Sequence, residues 1–377
     1  MKIKRIISLA IFTIVLLSCS KEKNYTVENK DGVEIIKNKN VDSTPNLQLD
    51  LKMISDISLD NLTLPDSIPA MESFYMTALD DEGNIYISDF RKCVIYKIDR
   101  NGNFVTNFHR KGQGPGESNI INDIKVIQDS VFVFGEYGKT AIYTKSGNLV
   151  RQKRILESKF SAMQIVTSGT NTYAYSRNVT PDFEEKVSRI ELGVYLLDPK
   201  DIEKQTKIIE INTTADLNNY RYLMNDDQRL FAFFNDKVFV EDLSFTNYGI
   251  DIYDQSGTKI RRIEKQTKRI ACSDELKEKA KEADERNSMI KVVADYMKQV
   301  LRMYADKDGN LWVCPAVEGF GFEHNYFDIF SSEGVFMKRI KLPLPEGFKW
   351  LSFDKGKLIV RDSKNCMVKV FDYKFLQ

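Results

Sequence analysis

Four acidic residues hold related places in the sequence. Asp89, Glu136, Asp242 and Asp362 each fall at or just after the end of a short stretch rich in aromatic and β-branched residues, a composition that predicts a strand. If those strand ends meet in space, the carboxylates form an acidic ring for a cation or a polar ligand. Alternatively, each carboxylate accepts hydrogen bonds from backbone N–H groups in its own turn. The spacing leaves both interpretations open and favours the turn role.

The chain has only two histidines, His109 and His324, and both follow predicted strands. A histidine there can act as a general base or a metal ligand. Neither lies in a Ser/His/Asp order or in metal-ligand spacing, and no C-x-x-C is present. The sequence therefore predicts no catalytic residue, no metal site and no cofactor.

Exposed aromatic side chains beside acids suit contact with a glycan or a peptide. One loop has that composition, and its candidate residues are Glu318, Phe320, Phe322, Glu323 and His324. A hydrophobic plug is an equally good interpretation of the same residues. Arg91 and Arg177, in other predicted loops, complete the set of candidate ligand-binding residues.

The elements that must position these residues form a repeat. Residues 76–108 contain four short strands, separated by turns such as residues 81–84 and 100–103. The same order recurs five more times, and the third copy is the poorest. Four strands per repeat of about 40–50 residues predict an all-β, six-bladed β-propeller of four-stranded antiparallel blades over residues 47–377.

The sixth copy ends after its third strand, because the chain stops at Gln377. An open blade leaves an unpaired edge. Residues 47–54 alternate apolar and polar side chains, so this N-terminal segment is predicted to supply the missing outer strand. The first and last copies also share a spaced pattern: Asp89, Cys93 and Asp99 match Asp362, Cys366 and Asp372.

Insertions are predicted on one side of the disc. The turns joining strands one to two and three to four are mostly tight, whereas the connections on the opposite side include residues 177–192, 212–228, 264–302 and 314–326. Long loops on one side of a rigid scaffold are where binding usually resides. The insertion at 264–302, between blades four and five, has the i, i+3/i+4 apolar spacing of a helix, with Ser273 as N-cap.

The N-terminus predicts export. A basic start and an apolar run from Ile6 to Leu17 form a signal too short to span a bilayer. The run ends in Leu16, Leu17, Ser18 and Cys19, a sequence that resembles a bacterial lipobox. That resemblance implies a signal peptide over residues 1–18 and lipid on Cys19. Residues 19–46 are polar and predict a flexible tether.

The first repeat resembles an NHL-type repeat, most clearly at Gly83, Asn84 and Asp89 and at residues 101–104. Residues 111–117 look like the glycine-rich linker between blades of that family. With the lipobox, the chain resembles the six-bladed β-propeller lipoproteins common in Bacteroidetes. The resemblance implies a fold and an exported, membrane-anchored location, with the outer membrane favoured by Ser20, and it implies no reaction.

The formal net charge of +1 and the lack of a basic block argue against a nucleic-acid partner. Two functions remain open. The first is a binding or scaffold lipoprotein that takes a glycan, peptide or protein on its long-loop face. The second is a hydrolase or lyase with its site at the central channel mouth.

Overall fold

The chain folds as a six-bladed β-propeller in a computed structural model. The structure describes residues 23–58, 61–154, 162–185, 187–198, 201, 204–216, 231–242, 247–274, 277–278, 296–319, 324–344, 350–362 and 365–376. Six separate sheets form the blades, and within each blade the successive strands pair antiparallel. The predicted all-β, six-bladed propeller of four-stranded antiparallel blades is therefore confirmed.

The strands follow one another in a regular order. The N-terminal strands are β1 (Tyr25–Lys30), β2 (Val33–Asn38) and β3 (Gln48–Ser58). Blade one consists of β4 (Thr77–Leu79), β5 (Ile85–Asp89), β6 (Val94–Ile98) and β7 (Phe104–Phe108). Blade two consists of β8 (Ile121–Ile127), β9 (Ser130–Gly135), β10 (Lys139–Thr144) and β11 (Leu149–Arg154), with a 3₁₀ turn at Glu136–Gly138. Blade three consists of β12 (Ala162–Ser168), β13 (Asn171–Asp182), β14 (Val187–Leu197) and β15 (Gln205–Asp216).

The second half of the ring continues in the same way. Blade four consists of β16 (Phe231–Phe234), β17 (Lys237–Glu241), β18 (Gly249–Tyr253) and β19 (Lys259–Lys265). Blade five consists of β20 (Val300–Ala305), β21 (Leu311–Pro315), β22 (Tyr326–Phe330) and β23 (Phe336–Lys341). Blade six consists of β24 (Trp350–Asp354), β25 (Lys357–Asp362), β26 (Met367–Leu376) and β3. The first strand of each blade is innermost, and neighbouring first strands contact one another around the channel.

The core lies between adjacent blades. Trp312 of blade five is fully buried, and its indole ring packs 5.2 Å from the ring of Phe353 in blade six. The indole N–H donates to the carboxylate of Asp306 at 3.0 Å, so the polar end of the ring also has a partner. Burying one such aromatic side chain contributes roughly 2–3 kcal/mol, and every blade boundary repeats this kind of packing.

Blade six is closed by the N-terminal strand, as predicted. β3 pairs antiparallel with β26, from Gln48 opposite Leu376 to Ser58 opposite Met367. The ring itself closes at the channel, where the backbone N–H of Leu79 donates to the Asp354 carboxylate at 2.9 Å. The first and last blades are therefore joined at the innermost strand as well as through the outer one.

The prediction that residues 19–46 form a flexible tether is wrong for most of that segment. β1 and β2 form an antiparallel hairpin, and β2 pairs parallel with β19, so blade four has six strands. The turn of the hairpin is Asp31 and Gly32, both with positive φ (55° and 82°). Asp-Gly is a strong signal for such a turn, and the polar composition of the segment concealed it.

The structure does not support the helical insertion predicted over residues 264–302. The segment begins in β19 and ends in β20, and Ala271 bridges Tyr296 between them. One i→i+4 hydrogen bond, from the Lys277 N–H to the Ser273 carbonyl, is formed where the helix was predicted to begin. Most of the predicted helix, at residues 275–276 and 279–295, lies outside the described residues.

Blade three also departs from the prediction. Residues 177–192 and 212–228 were predicted as long loops, and of these residues 186 and 217–228 lie outside the described residues. Instead, β13 and β14 extend past the usual strand length and pair from Thr172–Leu197 to Asp182–Val187, and β15 continues to Asp216. Alternation of apolar and polar side chains fades in this outer part, which is why the sequence indicated loops there. The one-sided distribution of long loops is accordingly weaker than predicted.

Candidate functional site

Asp89 lies at the end of β5 with its side chain fully buried. Its carboxylate accepts the backbone N–H groups of Glu72 (2.5 Å), Ser73 (3.2 Å), Arg91 (2.9 Å) and Lys92 (3.1 Å), together with the Ser73 hydroxyl. These donors belong to the segment before β4 and to the loop after β5. Asp89 therefore holds two loops together, which is the turn role that the sequence favoured.

The equivalent position in blade six behaves similarly. The Asp362 carboxylate accepts the Asn365 backbone N–H at 3.0 Å and its side-chain amide at 2.6 Å. Cys93 and Cys366, which close these two loops, both have left-handed backbone (φ 53° and 47°). The shared spacing in the sequence therefore reflects one loop conformation used twice.

Glu136 and Asp242 have partners that differ from those of Asp89 and Asp362. The Glu136 carboxylate accepts the backbone N–H groups of Asn119 (3.1 Å) and Ile120 (3.3 Å), which precede β8. Asp242 forms an ion pair of 2.5 Å with Arg262 in β19. Each of the four acids thus serves its own blade, and their contacts do not assemble them into one ligand ring.

His109 joins blade one to blade two. Its Nδ1 lies 2.9 Å from the Tyr143 hydroxyl, and its Nε2 lies 2.7 Å from the Ser118 hydroxyl. Burial lowers the pKa of the imidazole to about 4, so the ring is neutral near pH 7. Since the Tyr143 hydroxyl also donates to the Gly116 carbonyl at 2.7 Å, the histidine fixes the glycine-rich linker between the two blades.

His324 has a comparable role in blade five. Its Nε2 lies 2.9 Å from the Pro315 carbonyl oxygen, and its Nδ1 lies 3.2 Å from the Tyr326 backbone nitrogen. Those contacts suit a neutral ring that donates from Nε2 and accepts at Nδ1. Burial lowers its pKa to about 4 as well. The ring ties together the two ends of the loop between β21 and β22.

The other candidates are dispersed. Arg91 and Glu318 are exposed in the loops of blades one and five. Arg177 lies within β13, opposite Leu192 of β14, and not in a loop. Phe320, Phe322 and Glu323 fall outside the described residues.

A cavity of about 650 Å³ lies where the turns between first and second strands meet, at one end of the channel. All six blades contribute to its lining, from Asp81 in blade one to Lys355 in blade six. We call it the axial cavity. It lies at the tight-turn end of the propeller, opposite the side on which the sequence predicted binding.

Two kinds of turn build the axial cavity. In four blades a two-residue turn begins with a residue of positive φ. These residues are Gln128 (53°), Gly169 (58°), Asn235 (51°) and Lys355 (49°). In blades one and five the turn is longer, and Asp80 and Asp306 accept the backbone N–H groups within it. Burial raises the pKa of Asp306, although its hydrogen bonds oppose that shift.

The wall of the axial cavity combines aromatic and polar groups. Phe234 and Phe353 are half-buried there, and the hydroxyl and amide groups come from Ser168, Thr170 and Asn171. Two lysines at the same turns are already paired with carboxylates. Lys355 lies 2.9 Å from Asp81, and Lys307 lies 2.6 Å from Asp308. The cavity therefore offers ring faces, neutral hydrogen-bonding groups and lysines that are already paired with carboxylates.

Sequence reasoning did not identify the axial cavity. Its residues lie in short turns that match no catalytic or binding motif, and they come together only when six repeats close into a ring. Among the described residues, no cluster of three or more His, Cys, Asp or Glu side chains could hold a metal ion. In the same part of the chain, no helix is long and apolar enough to cross a membrane.

Comparison with known proteins gave structural likeness only. No family model matches the chain, and no curated protein matches it in sequence. A solved structure of a protein described as exported, from Bacteroides fragilis NCTC 9343, is 12% identical, with a TM-score of 0.49 over 91% of this chain and 100% of that one.

Two further solved structures are more distant. Virginiamycin B lyase from Staphylococcus aureus is 11% identical, with a TM-score of 0.45 over 86% of this chain and 99% of that one. BamB from Moraxella catarrhalis is 12% identical, with a TM-score of 0.37 over 86% and 98%. The propeller assignment rests on the strand pairing of this chain itself.

Proposed function

We propose that the chain is an exported, lipid-anchored binding protein that holds the end of a glycan in the axial cavity. One observation carries the proposal: six turns from six blades line an open cavity of about 650 Å³ on the propeller axis. A volume of that size accommodates a ligand of a few sugar rings or a similarly small group.

The chemistry of the cavity wall favours a sugar. Half-buried rings such as Phe234 and Phe353 can pack against the C–H face of a pyranose. The hydroxyl group of Thr170 provides a donor and acceptor for sugar hydroxyls. The Ser168 hydroxyl, which accepts the Asn235 N–H, can still donate, and the Asn171 amide, which donates to the Asn235 carbonyl, can still accept. Because Lys307 and Lys355 are paired with aspartates, a neutral ligand fits better than a strongly charged one.

The long-loop face has less support as the ligand site. Its buried acid Asp89 uses its carboxylate oxygens on neighbouring backbone N–H groups, and Glu136 does the same. A ligand would have to displace these hydrogen bonds, whereas the axial cavity presents the half-buried rings of Phe234 and Phe353 and the exposed Thr170 directly.

The hydrolase or lyase alternative also has less support. A general base must be within reach of its substrate and have a pKa near the working pH. Burial lowers the pKa of His109 and of His324 to about 4, and each ring is hydrogen-bonded to protein on both sides. Binding without chemical conversion therefore fits the described residues better.

The lipid anchor is part of the proposal and rests on the lipobox ending in Cys19. Replacing Cys19 with Ala should abolish lipid attachment and release the protein from the membrane fraction. Mass spectrometry of the N-terminal peptide and membrane fractionation would measure this. A Cys19→Ala protein that stays in the membrane would contradict the anchor.

The cavity can be tested by blocking it. Thr170 is the exposed second residue of the blade-three turn and lines the cavity, so Thr170→Trp should reduce glycan binding at least tenfold. Asp129 occupies the same place in the blade-two turn but is not part of the lining. Asp129→Trp is therefore the matched control.

The measurement is binding of the purified protein to a panel of bacterial-envelope and host oligosaccharides. Equal binding by Thr170→Trp and Asp129→Trp would refute the cavity as the site. Conversion of a bound oligosaccharide by the wild-type protein would favour the enzyme instead.

A further inference from the structure

The chain is held in place very soon after Cys19. The Asn24 carbonyl accepts the Lys39 backbone N–H at 2.9 Å, and its side-chain amide lies 3.3 Å from the Asp42 carbonyl. From the next residue onward, β1 is paired with β2. The hairpin lies on the outer edge of blade four, so Asn24 sits at the rim of the disc.

The connection from Cys19 to this rim is short. Five residue steps separate Cys19 from Asn24, and each fully extended step spans at most about 3.6 Å, which gives a reach of roughly 18 Å. A lipid on Cys19 therefore keeps this sector of the rim close to the membrane surface.

Basic side chains gather beside the same point. The Gln266 N–H donates to the Asn38 carbonyl at 3.0 Å, which brings the end of the hairpin next to the segment after β19. Lys268 and Arg269 follow in that segment and are exposed, and Lys23 is exposed at the start of the hairpin. We call Lys23, Lys268 and Arg269 the basic rim.

An aromatic side chain accompanies the basic rim. Tyr296 is 45% exposed, and the Arg269 guanidinium lies 5.8 Å from its ring centroid. Tyrosine is enriched at membrane–water interfaces, and lysine and arginine are attracted to anionic lipid headgroups. One lipid chain gives only marginal membrane attachment, and a basic patch is a common second signal.

We propose that the basic rim, at the outer edge of blade four, lies against an anionic lipid surface and orients the propeller. Blade one, on the opposite side of the six-bladed ring, then points away from the membrane. The inference rests on the proposed lipid anchor, and it adds the orientation of the propeller relative to the membrane.

The orientation can be measured in the full-length lipidated protein in membranes. A photo-crosslinking amino acid at Asn40, an exposed position just after β2, should react with lipid. The same amino acid at Val105, 49% exposed on the outer strand of blade one, should give at least tenfold less lipid adduct. Equal adduct yields from the two positions would overturn the orientation.

Charge reversal tests the basic rim. The double substitution Lys268→Glu and Arg269→Glu should reduce lipid crosslinking from position 40 by about 25-fold or more, since each basic residue near an anionic surface strengthens binding roughly fivefold. Arg151→Glu with Arg154→Glu, on the exposed outer strand of blade two, is the matched control and should leave the yield unchanged. Equal effects of the two pairs would refute the basic rim.

Failure of the anchor and failure of the orientation are distinguishable. Absence of lipid on Cys19 by mass spectrometry refutes the anchor. Lipid on Cys19 together with equal crosslinking from positions 40 and 105 refutes the orientation alone.

Discussion

Two pieces of the N-terminal segment complete the molecule in different ways. β3 supplies the fourth strand of blade six and closes the ring, whereas the β1–β2 hairpin adds to blade four, which already has four strands. Burial reflects the difference. Ile57 of β3 is fully buried between blades, while Val27 of β1 is 52% exposed. A segment that fills a gap in a repeat is integral to the fold, and one that extends a finished blade is free to serve another purpose.

The largest expected effect comes from a charge at Ile57. Ile57→Asp would place a carboxylate in the apolar cluster between blades six and one and should lower the free energy of unfolding by about 4 kcal/mol or more. The matched substitution Val27→Asp, on the exposed hairpin, should change it by less than about 0.5 kcal/mol. Chemical denaturation measures both, and similar losses would remove the contrast between the two strands.

The hairpin is nevertheless fastened by a buried polar side chain, Asn38. The Asn38 amide donates to the carbonyls of Glu264 (3.1 Å) and Gly334 (3.0 Å), and its oxygen accepts the Phe336 N–H (2.8 Å). Asn38→Ala leaves these three groups without that partner and should cost about 3 kcal/mol. Asn40→Ala, at an exposed position, is the control. A loss below about 1 kcal/mol for Asn38→Ala would mean that the hairpin is held mainly by its backbone pairing.

We expect acid to weaken the ring through two buried histidines, His109 and His324, that lie outside both N-terminal pieces. The folded-state pKa of His109 and of His324 is about 4, below the unfolded value of about 6.5. The unfolded chain therefore binds more protons between these values, and stability falls as the pH drops from 7 towards 4. Each histidine should account for about 2 kcal/mol at pH 5.

The substitution His109→Asn removes one of these titrations, and asparagine tolerates the left-handed backbone found there (φ 67°). Chemical denaturation at pH 7 and pH 5 measures the free energy of unfolding, and the difference between the two pH values should be smaller for the variant than for the wild type. An unchanged dependence would show that other groups govern acid sensitivity.

The smallest effect on overall stability is expected at the hairpin turn. Gly32 has φ of 82°, and a Cβ added there meets no atom within 4 Å, so Gly32→Ala introduces backbone strain alone. That strain costs about 1–2 kcal/mol, and it affects only the β1–β2 hairpin, which is an exposed addition to blade four. Hydrogen exchange in β1 should speed up while the global unfolding midpoint stays unchanged. A large drop in the midpoint would show that the hairpin and the ring unfold as one unit.

The sequence predicted the ring well because each blade repeats the same local signals. Alternation in residues 47–54 and the unfinished sixth repeat together indicated that β3 closes blade six. The hairpin carried a signal of equal quality, Asp31 and Gly32 between β-prone residues, yet the polar composition around it favoured a tether. For this segment the Asp-Gly turn signal predicted the structure better than the polar composition did.

The candidate site was harder to predict. The role of Asp89 follows from nearby backbone donors, so the sequence favoured it correctly. The axial cavity depends on turns far apart in the chain, such as those containing Thr170 and Lys355. These turns become neighbours only in the closed ring, so no local sequence pattern predicts their proximity.

The pairing of β3 with β26 also constrains when the protein can fold. Residues from opposite ends of the chain must meet before blade six exists, so the blade cannot form until the C-terminus has been synthesised. Joining such distant segments is slow, because a long loop must close first. A chain that crosses a membrane unfolded meets this condition naturally. If this chain is exported unfolded, as proposed, its ring would still be open on the far side, and the arrival of the last strand would complete blade six.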